Sequence, residues 1–211
     1  MEIQEFTKIV KRLKSFNWRM FFSVVEILGD DCNKRKERFD KASLFERALA
    51  KKKISNDVMS WVDDIGHDHL LQEDFGKEHK IEMKTQKHCI LTKTGKKKKN
   101  GLVEVRLSNS LGDASLRPKE HFIRFDHLLI ADTGNENSYC AAIIDADNIK
   151  EDWLDTTKDA AILRIPMEAL TFVVEPQDFT LKKPKQEIVS YKQRKEEMQN
   201  MYLEEVINAV S

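Results

Sequence analysis

The chain has 211 residues, 40% hydrophobic and 34% charged, and its 36 basic and 36 acidic side chains cancel to a formal charge of zero. That length fits one large domain or at most two small ones, and the apolar content excludes wholesale disorder. No apolar run reaches membrane-spanning length, the amino-terminal stretch has no secretion-signal core, and Cys32, Cys89 and Cys140 are too scattered for a disulfide framework, which together favour a reducing cytoplasm.

The chain opens with a helical pattern. Phe6, Ile9, Val10, Leu13 and Phe16, then Phe21, Phe22, Val25 and Leu28, recur at three- and four-residue spacing. Gly29-Asp30-Asp31 stops this run. Residues 42–50 read as a second, basic helix with Leu44, Phe45, Ala48 and Leu49 on one side. Ser55-Asn56-Asp57 is expected to cap a short helix through Trp61 and Ile65. The pattern then changes to short alternating or β-branched segments at 70–75, 80–91, 102–107, 122–130, 139–144, 161–165 and 172–175. Gly76, Gly95, Asn100-Gly101, Gly112-Asp113 and Gly134-Asn135 punctuate them. From Pro184 onward a helical period returns, with Ile188, Tyr191, Met198, Met201, Tyr202, Val206 and Val210 on one face. No linker divides the chain. The expectation is one domain of residues 1–211: a mainly helical part at 1–66, a strand-rich core at 67–180 and a terminal helix at 184–211. Its fold class is α/β, a central mixed β-sheet flanked by helices.

The zero charge conceals a segregation. Residues 1–125 carry a net +8, residues 126–178 a net −9 and the remainder +1. Two blocks supply most of the excess: 34–53, with a net +6, and 77–99, with a net +7. A basic face on a neutral protein can still supply the phosphate contacts that dominate nucleic-acid affinity.

The most informative stretch is EDFGKEHKIEMKT at 73–85. On a strand, Glu82 and Lys84 share one face while Ile81 and Met83 anchor the other in a core. If a three-residue loop at 77–79 joins two strands, Asp74 lies directly across from Glu82, with Cβ atoms roughly 4.5–5.5 Å apart. Two carboxylates so placed suit one Mg²⁺, which takes oxygen ligands. Lys84 would sit beside a metal-bound water, orienting it or assisting its deprotonation. Glu104-Val105-Arg106 offers a competing acid-x-base pair, but Arg stays charged and is a poor proton acceptor. Arg106, Ser108 and Asn109 better suit contacts to DNA bases. Lys87, Lys96, Lys97, Lys98, Lys99 and Asn100 complete the expected DNA-binding segment. Glu26, on the apolar face of the first helical run, is a candidate further acid of the metal site, or pairs with a lysine. His67, His69, His79, His88 and Cys89 lack the spacing of a zinc site.

Asp74 with Glu82-x-Lys84 resembles the active-site motif of the PD-(D/E)xK nuclease superfamily, and the order of segments is similar to that of type II restriction endonucleases. The resemblance implies a restriction-endonuclease-like sheet, Mg²⁺-dependent cleavage of double-stranded DNA, and a homodimer on a palindromic site in a bacterial or archaeal cytoplasm. Two other readings stand beside it: a non-catalytic DNA- or RNA-binding module, and a repair or junction nuclease of the same superfamily.

Overall fold

The structure is a computed structural model that describes residues 3–31, 43–64, 66–73, 76–92, 96, 98, 101–108, 118–135, 138–156, 160–178 and 199–211. Two helices open the chain, α1 (Ile3–Lys14) and α2 (Trp18–Asp31). Residues 43–49 form α3 and Lys52–Ser55 the single turn α4. The expected helix through Trp61 does not form. Asn56 and Asp57 both take positive φ, 57° and 61°, which ends α4 and turns the chain. Residues Met59–Asp64 then run extended as β1.

Three strands follow as a local meander. β2 is His67–Gln72, and β3, at Glu78–Gln86, is the longest of the three. β1 pairs antiparallel with β2, and β2 with β3. The β1–β2 turn needs a glycine at Gly66, where φ is 97° and a Cβ would lie 2.6 Å from Cβ of Arg124. The chain next makes β4 (Leu102–Ser108) before returning as β5 (His127–Asn135), which lies parallel to β3. β6 (Ser138–Asp145), β7 (Leu154–Thr156), β8 (Ala160–Pro166) and β9 (Thr171–Asp178) follow, and α5 (Gln199–Val210) closes the described chain. The large sheet has the order β1-β2-β3-β5-β6-β9, and a small antiparallel sheet has the order β4-β8-β7.

The expected mixed sheet is therefore present, with a second sheet that periodicity alone did not separate from it. On one face of the large sheet, Leu71, Ile81, Met83, Leu129, Ala131, Tyr139 and Ile143 share a core with α1, α2, α3 and α5. On the other face, Leu128, Ile130, Cys140, Ala142 and Ile144 pack with Val103, Val105, Leu163 and Ile165 of the small sheet. β5 is covered on both sides, so Leu128 to Ala131 reads as an unbroken apolar run rather than an alternation. Among the described residues, no helix is long and apolar enough to cross a membrane.

Asp132 on β5 is fully buried and fixes the chain where it leaves β3. Its carboxylate accepts backbone N–H bonds from His88 at 2.9 Å, Ile90 at 2.6 Å and Leu91 at 2.7 Å. Asp132→Ala strands two buried donors and one part-buried one, each buried donor costing roughly 1–3 kcal/mol. The expected loss is about 3 kcal/mol or more, read from the shift of a urea unfolding curve.

Candidate active site

β3 alternates as expected. Ile81 and Met83 enter the helix-side core, while Glu82 and Lys84 align with Leu128 and Ile130 of β5 on the opposite face. The register with β2, however, is not the one expected. His69 lies opposite Ile81, Leu71 opposite His79, and Gln72 opposite Glu78. The connection runs from Glu73 to Lys77, closed by the Glu73 N–H on the Lys77 carbonyl at 2.8 Å. Extending that register sets Asp68, not Asp74, across from Glu82. Asp74 itself lies outside the described residues, beyond the last residue of β2.

The two strands stop exchanging backbone bonds at this point, and the side chain of Asp68 takes over. Its Oδ2 accepts the Met83 N–H at 2.8 Å. Lys84 Nζ donates to Glu82 Oε1, with the two side chains 23% and 13% exposed. A charged pair this deep loses much hydration, so its presence is a weak argument for stability and a better one for chemistry.

A third carboxylate arrives from the helical layer. Glu46 sits on α3, and its carbonyl accepts a hydrogen bond from the Nε2–H of His69 at 2.7 Å. Burial holds His69 at a pKa of about 4, so it is a neutral donor that locks α3 onto β2. The Glu46 carboxyl is pushed up to about 7, first by burial and then by the like charges of Asp68 and Glu82, with Lys84 opposing them. Glu82 is likewise raised, by burial and Asp68 against the pull of Lys84. Burial works to lower the Lys84 pKa, but Glu82, Asp68 and Glu46 outweigh it and hold the ammonium above its ordinary value. The charges of Glu46, Asp68, Glu82 and Lys84 thus act on one another, with Lys84 paired directly to Glu82. Those oxygen donors suit a hard divalent ion.

Glu26 is not part of this unit. It accepts the Tyr139 hydroxyl at 3.1 Å. Tyr139 belongs to β6 and to the helix-side core, five positions along from Ile144. Ile144 pairs with Leu128, the β5 partner of Glu82, so Glu26 is engaged roughly 16 Å along the sheet from the Glu82 row. The competing pair on β4 belongs to the small sheet, not to the sheet of β2 and β3. Glu104 is exposed and bonded by Arg164 Nε at 3.0 Å, while Arg164 also reaches Asp155 at 2.6 Å, a surface network of the small sheet. Arg106 is exposed on the same strand, and Ser108 ends it. Lys87 and Lys96 are exposed and Lys98 is half-buried, whereas Lys97, Lys99, Asn100 and Asn109 lie outside the described residues.

Part of the first basic block is occupied internally. Lys51 pairs with Glu204 at 2.7 Å, Lys52 with Asp57 at 2.8 Å, and Lys53 donates to Asn208 at 2.8 Å. These contacts tie α4 to α5 and to the turn that follows it. Residues 34–42 of that block lie outside the described residues. In the acidic segment, Asp126 accepts the Lys80 N–H at 2.8 Å and Asp145 the Asp147 N–H at 2.9 Å. With Asp132, these acids act as internal caps.

Sequence reasoning missed Glu46 and Asp68. The signal for Glu46 was an acid set among Leu44, Phe45, Ala48 and Leu49, and that for Asp68 was its alternation with buried His67, His69 and Leu71. Comparison with protein-family models, with curated proteins and with solved structures gives no match.

Proposed function

We propose that the chain is a Mg²⁺-dependent site-specific endonuclease of double-stranded DNA, of the type II restriction kind, with Asp68, Glu82, Lys84 and Glu46 as its active site. One observation carries this reading: Asp68 of β2, bonded to the Met83 N–H, stands at the level of the paired Glu82 and Lys84 of β3 where the two strands part. The donor set fits the ion. Its ligands are carboxylate oxygens, raised first by burial and then by their like charges, and a divalent cation would offset the second of these.

In this reading Asp68 and Glu82 hold Mg²⁺ and Glu46 is the additional acid from the helical layer. Bound there, the ion lowers the pKa of water and stabilises charge on the phosphate. Lys84, kept protonated by its three carboxylate neighbours, positions the attacking water and offsets the phosphate charge. Water oxygen would bond to phosphorus as the bridging P–O bond breaks, the electron pair going to the leaving sugar oxygen, which takes up a proton while the attacking water gives one up. The basic half of the chain, with Lys87 just after β3, supports a DNA backbone as the bound polymer. A homodimer on a palindromic site belongs to the same proposal.

The test is incubation of mixed-sequence duplex DNA with the full chain and Mg²⁺. Discrete fragments are expected, absent with excess chelator and reduced about 10²–10⁴-fold by Lys84→Ala. Salt-sensitive binding with no cleavage would instead identify a non-catalytic nucleic-acid-binding module.

A further inference from the structure

A second group of potential ligands lies at the loop end of the same hairpin, independent of the proposed nuclease site. Glu5 on α1, Glu73 just after β2 and His79 on β3 converge there. His79 Nε2 is 3.7 Å from Glu5 Oε1 and 3.6 Å from Glu73 Oε1. Among the described residues, this is the set of three whose ligand atoms all lie within 4.8 Å of one another. The Glu5 and Glu73 side chains are 21% and 15% exposed, and His79 only 2%.

The buried polar atoms are unsatisfied. Neither His79 Nε2 nor Glu73 Oε1 has a hydrogen-bond partner among the described residues. Burying such atoms without partners costs roughly 1–3 kcal/mol each. Behind His79, its Nδ1 lies 3.4 Å from Nε2 of the fully buried His127. With the His79 proton on Nδ1 donated to His127, the Nε2 lone pair faces the two carboxylates. That is the usual second-layer arrangement behind a metal-ligating imidazole, which fixes both tautomer and ring orientation. Lys77 Nζ also contacts Glu5 Oε1, but its side chain is 57% exposed and approaches from solvent.

The spacing fits a small ion. Ligand atoms around a tetrahedral centre with bonds of about 2.1 Å lie about 3.4 Å apart, so the two distances from His79 need contract by only a few tenths of an ångström, while the two carboxylates lie within 4.8 Å of each other. One imidazole with two carboxylates favours a borderline ion over Mg²⁺, which prefers all-oxygen octahedra and keeps its waters.

We infer that Glu5, Glu73 and His79 form a Zn²⁺-class metal site, completed by solvent on the Lys77 side, that fastens α1 to the loop joining β2 and β3.

The site is distinct from the Asp68–Glu82–Lys84 group. His79 faces the helices, and Glu73 lies beyond the opposite end of β2 from Asp68. The experiment is zinc titration of the chelator-treated full chain in millimolar Mg²⁺, read by calorimetry and by metal content after dialysis. One equivalent of Zn²⁺ is expected, together with a rise in Tm. Glu73→Gln, which preserves shape, should weaken binding by at least about 10-fold, and so should His79→Ala. Glu82→Gln should leave zinc binding unchanged, whatever happens to DNA cleavage. Should His79→Ala fail to fold, Glu73→Gln decides. Co²⁺ in place of Zn²⁺ should show ligand-field bands without thiolate charge transfer. Absence of stoichiometric uptake, uptake indifferent to Glu73→Gln, or a thiolate band would overturn the assignment.

Discussion

Asp68→Asn is expected to slow Mg²⁺-dependent DNA cleavage by at least about 100-fold, and Asp74→Asn to leave it within about threefold. The figure rests on scale: perturbing even the partners of metal ligands typically costs about 10–100-fold, so losing a ligand costs at least the upper end. The choice between the two aspartates rests on register. Gln72 pairs with Glu78, which carries Asp68 to the level of Glu82 and leaves Asp74 beyond β2. Asn keeps an oxygen that can accept the Met83 N–H, so Asp68→Asn should fold with little change in Tm. Initial rates on a labelled duplex, beside thermal unfolding of each variant, separate chemistry from stability. Inactive Asp74→Asn with active Asp68→Asn would reject the assignment.

Glu46→Gln is expected to stabilise the metal-free protein at pH 8 and to have no effect on stability near pH 4. The Glu46 carboxyl is raised from its ordinary 4.5 to about 7, mainly by burial and then by Asp68 and Glu82. Between those values the folded state holds a proton that the unfolded state releases. Stability therefore falls as pH rises from about 4.5 to about 7, and the deficit persists above that. The shift corresponds to about 3 kcal/mol at most, or at most about 6–12 °C in Tm for a chain of this size. Scans in chelator from pH 4 to pH 8 should show the wild type and the Glu46→Gln variant diverging as pH rises. Parallel curves would mean that the Glu46 carboxyl is not raised in the folded state.

The sequence made β3 legible because alternation is a local property. Ile81 and Met83 could only be useful on a buried face, and Glu82 and Lys84 were thereby placed together on the other. Its partner was harder. Register depends on where the intervening loop closes, and each one-residue shift of that loop along the chain moves the residue opposite Glu82 by two, to another of the same face. A loop at 77–79 nominated Asp74, whereas closure of Glu73 on Lys77 nominates Asp68. Glu46 was hidden for another reason. Its helix was recognised from Leu44, Phe45, Ala48 and Leu49, but no helical pattern says which strand a helix will cover. The hydrogen bond from His69 to the Glu46 carbonyl is a tertiary fact. β1 was misread as helix because Ser55-Asn56-Asp57 resembles a cap, whereas two positive-φ residues there end a helix instead. The small sheet was read strand by strand, and only its pairing separates it from the main one.

The parallel pairing of β3 with β5 also bears on the order of folding. The β1–β2–β3 meander joins near neighbours and can form early, carrying Asp68, Glu82 and Lys84 with it. β4 emerges next but pairs with β8, with Leu102 opposite Pro166. During synthesis at about 5–20 residues per second, β4 therefore waits several seconds for its partner strand. For that interval its unpaired edge is open, and the Leu128–Ile130 face of β5 lacks its cover. The crowded lysines of the intervening 93–99 segment then have a use during synthesis: like charge placed beside an unpaired strand discourages association with other nascent chains.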